Sequence, residues 1–400
     1  MQDPMPSPID RPIKVLLWSP KGAGQHYGGP GTAAYRLYSK ADQGRFRLTL
    51  AHGYSDQEDY PLFEKQQLIR VLSPINPWTQ LRFVRLGAKW IKTNARNFDV
   101  FHGLQGFEMT VTPALQAQRL GLPAVVKLAA YRSDLADKDG LRNLLGLPRR
   151  RRARIQQLSG IIAISQLVAQ ELLEYGIPES KIARIPNGVD VERFYPVDRQ
   201  QRRALRDALG WGDFPTVLFV GGITPRKSPL VLVETLRLLH KRNLDCQLVF
   251  VGPEHDHSYT AMIKTRIKEL SSGRHVKWVG FTTDIARMYQ AADIYALPSS
   301  SEGMPNALLE AMACGLACIG TPISGTNDLI TDGVNGRLVA ADPSEMVIAI
   351  DDYLSSAELP KQHGRAARQT ILDRYSAQAV LAAHEALFRR IMSGAVAAAN

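Results

Sequence analysis

Residues 298–315 read Pro298-Ser-Ser-Ser-Glu302-Gly-Met-Pro-Asn-Ala-Leu-Leu-Glu310-Ala-Met-Ala-Cys-Gly315. The apolar run Ala292-Asp-Ile-Tyr-Ala-Leu297 before it has the composition of a short buried strand. Pro298 to Pro305 is rich in turn formers, Asn306 to Cys314 is rich in helix formers, and Gly315 is a helix stop. The stretch therefore predicts a strand, a loop and a helix. Such a helix aims unpaired N–H groups and the positive end of its dipole at the strand's carboxyl edge, a place that suits an anion. Glu302 falls in the loop and Glu310 one turn inside the helix, so the two carboxylates can grip different parts of one ligand. The plainer alternative is that both only complement the helix dipole.

Working outward, the same strand-then-helix unit recurs along the chain. Strands are predicted at Val15–Trp18, Leu48–His52, Leu68–Leu72, Val100–Gly103, Ala124–Leu128, Gly160–Ser165 and Ile182–Pro186. Helical stretches between them include Thr32–Ser39, Trp78–Asn94, Met109–Arg119 and Gln166–Tyr175. A second series has strands at Thr216–Gly221, Gln247–Gly252, Val276–Gly280, Ile294–Leu297, Ala317–Gly320 and Gly336–Val339. Alternation of this kind predicts α/β architecture, with two doubly wound parallel sheets offering their strand carboxyl ends to a shared cleft. A chain of 400 residues also exceeds what one core usually serves. The expected division is a first domain over 1–190, an arginine-rich linker over 191–213, a second domain over 214–375 and a closing helix over 376–400.

Composition narrows the class. An apolar share of 45% with 22% charged residues is ordinary for a globular chain, and no apolar run approaches the ~20 residues that span a bilayer. The first residues, Met1-Gln-Asp-Pro-Met-Pro-Ser-Pro, are acidic and proline-broken, unlike a secretory signal, and predict a cytoplasmic protein, with a peripheral place at the inner face of the membrane as an extension. Cys246, Cys314 and Cys318 are too scattered for a disulfide framework or a zinc site. The net charge of +11 is uneven, with Arg149, Arg150, Arg151, Arg152 and Arg154 in one cluster and Lys89, Lys92 and Arg96 in a milder one. A solvated face is the first reading of these clusters, an anionic membrane surface the second, and nucleic acid the last, since interleaved aromatics and a nucleic-acid module are both missing.

Three further places can carry chemistry. Lys21-Gly22-Ala-Gly24-Gln-His26-Tyr27-Gly28-Gly29-Pro30-Gly31-Thr32 is a glycine-rich loop opening a helix, in form either a phosphate cradle or a simple turn. Thr224-Pro-Arg226-Lys227 follows a strand that ends in Gly221-Gly222. His102 closes the strand Val100–Phe101–His102, where a hydrogen-bonded structural histidine is the ordinary alternative. Lys127, Tyr131 and Arg132 are candidates to face an acceptor.

The long motif at 298–315 resembles the signature of family 4 retaining glycosyltransferases. So do Ile185-Pro-Asn-Gly-Val-Asp190, Val217-Leu-Phe-Val-Gly-Gly-Ile-Thr-Pro-Arg-Lys227, Asp99-Val-Phe-His102 and Gly325-Thr-Asn-Asp-Leu-Ile-Thr-Asp-Gly-Val-Asn-Gly336, in the family's order. The resemblance implies the two-domain GT-B fold, with the terminal helix, from Ala377 to Met392, crossing back onto the first domain. It implies that Glu302, with the backbone of Gly303 and Met304, fixes the donor sugar and that Glu310 holds the nucleotide's ribose. Lys227 and the N–H groups at Ala307 and Leu308 would hold the diphosphate. Gly29 and Gly31 would close over the donor, and His102 would stand beside its sugar. The family arginine after the first glycine is replaced here by Gly222, leaving Arg226 as the candidate second cation; Asp328 stands where a glutamate is common.

The implied reaction is transfer of a sugar from a nucleotide donor, UDP-linked by preference, to a saccharide or lipid-linked acceptor, with anomeric configuration retained. Neither a cofactor nor a metal is expected. The alternatives are a nucleotide-sugar-binding subunit without catalysis, which Gly222 favours, a nucleotide-sugar 2-epimerase, and a basic nucleic-acid-binding protein.

Overall fold

The computed structural model describes residues 11–20, 29–53, 63, 65–68, 77–129, 152–270 and 275–399. The chain divides into two compact units, one formed by Met1–Gly188 with Ala377–Asn400 and the other by Val189–Ser376. The first unit is built on a seven-stranded sheet in the order β3-β2-β1-β4-β5-β6-β7. Its strands are β1 Ile13–Ser19, β2 Phe46–His52, β3 Lys65–Leu68, β4 Val100–Gly103, β5 Ala124–Leu128, β6 Gly160–Ala163 and β7 Ile182–Arg184. Each pairing is parallel. In a parallel sheet helices cover both faces, so central strands read as continuous apolar runs, as Ile13–Ser19 and Ala124–Leu128 do. The third strand lies at Lys65–Leu68 instead of Leu68–Leu72, and residues 69–72 lie outside the described residues.

The second unit carries six parallel strands in the order β10-β9-β8-β11-β12-β13. These are β8 Thr216–Val220, β9 Gln247–Val251, β10 Val276–Gly280, β11 Ile294–Leu297, β12 Ala317–Gly320 and β13 Arg337–Leu338. Part of the stretch that reads as a linker is structured. Arg199–Leu209 forms a helix that starts with a reciprocal cap between Asp198 and Gln201 and stops at Gly210, whose φ of 63° an L side chain disfavours. Its arginines are what disguised it. They serve as anchors: Arg202 and Arg206 both pair with Asp293, which also accepts the Thr216 N–H at 2.8 Å. The polar face of this helix thus ties it to the starts of two strands.

In the first unit, the terminal helix Ala377–Ala399 supplies Val380, Leu381, Leu387, Phe388 and Ile391 to the core beneath the sheet. A polar group is enclosed with them. Tyr38 Oη lies 2.8 Å from His102 Nδ1, and the His102 and His384 rings sit 5.5 Å apart. His384 Nδ1 is 2.8 Å from the Val380 carbonyl, which can only accept, so Nδ1 carries the proton and Nε2 is bare. Burial pushes the His384 imidazole down to about 3 and lowers His102 well below its ordinary value, with Lys127 adding repulsion to both.

Both histidines are therefore neutral in the folded unit and ionise near 6.5 once it unfolds. Below that pH the unfolded chain takes up protons the folded unit excludes, so stability present above 6.5 is lost as pH falls toward 3. The expected loss is on the order of 1.4 kcal/mol per pH unit for each histidine. Denaturant unfolding between pH 7 and 5 should show a shallower pH slope for His384→Leu than for the parent; equal slopes would refute the assignment.

Candidate functional site

In the second unit β8 and β11 are neighbours, yet the chain leaves them toward opposite edges of the sheet. Such a switch point leaves a crevice beyond the strand ends that no crossover helix covers. The two loops that border it are the ones singled out from sequence, Gly221–Ser228 after β8 and Pro298–Pro305 after β11. Pro225–Lys227 makes one 3₁₀ turn, and Ser228 closes it at φ 50°, ψ 39°, a left-handed conformation that costs a non-glycine residue about 1–2 kcal/mol. The loops are stitched together: the Arg226 carbonyl accepts the Ser300 N–H at 2.9 Å, and Arg226 Nη1 donates to the Ser301 carbonyl at 2.5 Å.

That stitching delivers two cations to one carboxylate. Lys227 Nζ is 2.5 Å and Arg226 Nη1 3.1 Å from Glu302 Oε1. Only 8% of the Glu302 side chain is exposed, against 14% for Lys227 and 52% for Arg226. A buried charge is tolerated when a counter-charge meets it. Arg226, a secondary candidate from sequence, is thus brought into the same group as Glu302 and Lys227.

Glu310 sits in the helix Asn306–Ala313, 5% exposed, and its Oε2 accepts the Tyr289 hydroxyl at 3.0 Å. Tyr289, on the helix Ile285–Ala291, is a site residue that sequence reasoning missed; only its 21-residue separation from Glu310, invisible as a motif, joins them. The helix has no side-chain cap at Pro305. Its first turn differs from expectation in one respect: the Leu308 N–H is given to the Pro305 carbonyl at 3.0 Å, so this amide serves the helix itself, and of the two proposed diphosphate donors the half-buried Ala307 is the better placed. Gly325, at φ 74°, lets the next loop lie against this one, since a Cβ there would stand 2.3 Å from the Gly303 carbonyl oxygen. Met304 is buried. Asp328 accepts the Gly325 N–H at 3.3 Å at the start of its own short helix.

Gly222 has a local partner. A Cβ at this position would lie 2.4 Å from Cδ2 of His255, so the imidazole occupies the space an arginine side chain would need to leave the backbone. The departure from the family pattern is therefore a paired one. Neither residue's sequence context announces the other.

In the first unit the expected placements change. His102 was expected beside a donor sugar; it is 1% exposed, with Tyr38, His384 and Phe388 around its ring. Gly29 and Gly31, read as part of the glycine-rich loop that opens a helix, fall in the first turn of the helix Gly29–Tyr38. Lys127 is buried, donates to Asn187 Oδ1 at 2.8 Å, and is lowered to about 8 by burial. Asn187 lies in the Ile185–Asp190 motif, which accounts for that motif's asparagine. Lys21, Tyr131, Arg132 and Arg149–Arg151 lie outside the described residues. Arg152 stacks over the Tyr175 ring at 4.3 Å and Arg154 pairs with Glu108, so both are engaged locally. Among the described residues there is no cluster of three metal-ligating side chains, and no helix is long and apolar enough to cross a membrane.

Comparison with known proteins agrees with this geometry. Residues 27–193 match Glycosyltransferase Family 4 and residues 201–370 match Glycosyl transferases group 1. Together these matches span most of the chain, which belongs to the group 1, family 4 glycosyltransferases of the GT-B fold. Over 172 residues the chain is 33% identical to the UDP-Gal:alpha-D-GlcNAc-diphosphoundecaprenol alpha-1,3-galactosyltransferase of Escherichia coli, covering 42% of this chain and 43% of that protein. It is 28% identical over 208 residues to a GDP-mannose-dependent phosphatidylinositol monomannoside mannosyltransferase of Mycolicibacterium smegmatis, covering 50% and 53%. The chain thus spans about half the length of the curated relatives it matches. Its fold is that of Anabaena HepE, solved with UDP-glucose, at a TM-score of 0.77 and 19% identity over 95% of this chain and 100% of that one. Sucrose-phosphate synthase from Thermosynechococcus elongatus has the same fold, with a TM-score of 0.74 and 20% identity over 96% and 100%.

The ion group makes a checkable prediction. Because Glu302 competes for the cations a diphosphate would meet, Glu302→Gln should bind inorganic pyrophosphate roughly tenfold more tightly at low salt, equivalent to ~1.4 kcal/mol, by calorimetry. Unchanged or weaker binding would show that the carboxylate does not hold these cations.

Proposed function

We propose that the protein transfers a sugar from a nucleotide-diphosphate donor to a saccharide or lipid-linked acceptor, with retention of configuration and without a metal. The observation that carries this reading is the convergence of Lys227, Arg226 and Glu302 at the switch point of the second unit, with Glu310 one helical turn further in. Breaking the bond between the sugar's anomeric carbon and the donor phosphate places negative charge on the leaving group and an oxocarbenium-like charge on the sugar. Aimed cations and backbone dipoles stabilise the first.

In this reading Lys227 and Arg226 turn from Glu302 to the diphosphate, with the Ala307 N–H beside them. Glu302, relieved of its partners, accepts hydrogen bonds from sugar hydroxyls next to the backbone of Gly303 and Met304. The Tyr289 hydroxyl donates to Glu310 Oε2 and positions the carboxylate that would hold the ribose. The acceptor oxygen forms its bond to the anomeric carbon on the face the phosphate leaves, and its proton passes to the departing phosphate oxygen. A UDP-sugar is the favoured donor, in keeping with the E. coli relative's name and with the UDP-glucose bound to HepE. A GDP-sugar is the second choice, after the mycobacterial relative. Gly222 supports one rival, a sugar-nucleotide-binding subunit without turnover, which would bind the same donors and hydrolyse none of them.

Turnover separates the two. A panel of nucleotide sugars, assayed for hydrolysis and for transfer to simple acceptors, should give turnover in wild type and roughly 100-fold less in Lys227→Ala, the range for losing one aimed electrostatic contact. Donor binding without turnover would favour the subunit. EDTA should leave the rate unchanged; loss restored by magnesium or manganese would overturn the metal-free mechanism. For Glu310→Ala, the donor KM should rise far more than kcat falls, since ribose contacts are alike in ground and transition states, at ~1–3 kcal/mol of donor binding. Unaltered donor affinity would remove Glu310 from the site.

A further inference from the structure

The helix Pro77–Asn94 of the first unit, with the short 3₁₀ turn Ala95–Asn97 after it, has no acidic residue over its whole length. At ~100° per residue, Trp78, Arg85, Lys89 and Lys92 fall within about 60° of one another on one face, with Leu81 and Leu86 at its two margins. That face points outward. Trp78 is 79% exposed, Leu81 43% and Leu86 38%, while Phe83 and Ile91 on the opposite face are wholly buried in the core.

A helix packed on a soluble domain ordinarily turns its polar side to water. Here the outward side mixes three large apolar side chains with Arg82, Arg85, Lys89 and Lys92, all exposed. The helix leads into a cavity of about 450 Å³ lined by four cations, Arg11, Lys14, Arg47 and Arg96, around one carboxylate, Asp99. Asp99 accepts two bonds from Arg11 at 2.7 Å each and the Lys14 N–H at 2.8 Å, fixing the wall of the cavity and leaving it net cationic. Arg96 belongs to both the turn that ends the helix and the cavity.

We propose that this face docks on an anionic lipid bilayer, with the cavity at the helix's carboxyl end receiving one phosphate headgroup. Tryptophan, leucine and lysine or arginine on a single helical face is the composition of a helix lying in a membrane interface, where the ring and the leucines enter the acyl boundary and the cations meet headgroups. Lysine is depleted from protein–protein interfaces, and leucines have no part in stacking on nucleobases. In the Arg149–Arg154 cluster, the described members Arg152 and Arg154 are engaged by Tyr175 and Glu108. This docking goes beyond the proposed transfer reaction and does not depend on it.

Flotation of the full chain with phosphatidylcholine vesicles, with and without phosphatidylglycerol, tests it. Binding is expected only with phosphatidylglycerol, fading as salt shortens the Debye length below ~10 Å. Lys89→Glu with Lys92→Glu should reduce it more than tenfold. Trp78→Ser with Leu81→Ser should abolish the part that survives high salt. Lys14→Ser with Arg47→Ser, which leaves the helix intact, should weaken binding several-fold. Each variant should keep the parent's circular dichroism and donor hydrolysis, so a failure here is distinguishable from a failure of the transfer reading. Equal affinity for neutral vesicles, no flotation at low salt, or retention on heparin without flotation would overturn the proposal. Cavity variants that float like the parent would refute the headgroup site.

Discussion

Glu302 is a buried carboxylate, and the need to meet its charge organises the whole of the second unit's binding edge. Lys227 and Arg226 reach it only because the turn after β8 is wound tightly enough to force Ser228 into a left-handed conformation. That turn lies next to the loop after β11 only because the two strands are neighbours at the point where the sheet's winding reverses. The same reversal leaves the strand ends uncovered. A charged group that would destabilise a closed core is thereby held at the rim of a crevice.

The glycine at Gly325 lets two loop backbones approach more closely than a side chain allows, and Gly222 leaves room for the His255 ring. Glu310 is held differently, inside a helix and by a tyrosine hydroxyl from a neighbouring helix. One carboxylate is thus set by ionic contacts that a ligand can displace and the other by a neutral hydrogen bond that need not break. The contrast fits a site where one group changes partners and the other only positions.

The first unit uses its polar interior in the opposite way. His102 and His384 are enclosed and burial holds them neutral, while the enclosed Lys127 amine, lowered to about 8, donates to Asn187. Their role is to hold the terminal helix and the Ile185–Asp190 segment in place. Among the described residues its outer surface includes the cationic, tryptophan-tipped face of the helix Pro77–Asn94.

Most strand positions, the two parallel sheets and the loop-to-helix junction were legible in the sequence, because apolar runs of four to seven residues separated by amphipathic stretches have few other ways to bury themselves; the order of the strands within each sheet was not. The two glutamates and Lys227 were legible for a related reason: they lie within short segments whose spacing survives folding. The helix Arg199–Leu209 was obscured because its arginines act as tertiary anchors to Asp293, and polarity of that kind reads as linker until the partner is seen. Glycines that read as a loop open a helix, and the burial of His102 was not legible, since exposure depends on which elements cover a residue. Tyr289 beside Glu310, Asn187 beside Lys127 and His255 over Gly222 were decided by the tertiary structure alone. These pairs are joined across separate strands and helices, and no local spacing along a chain encodes a contact made only when distant segments pack.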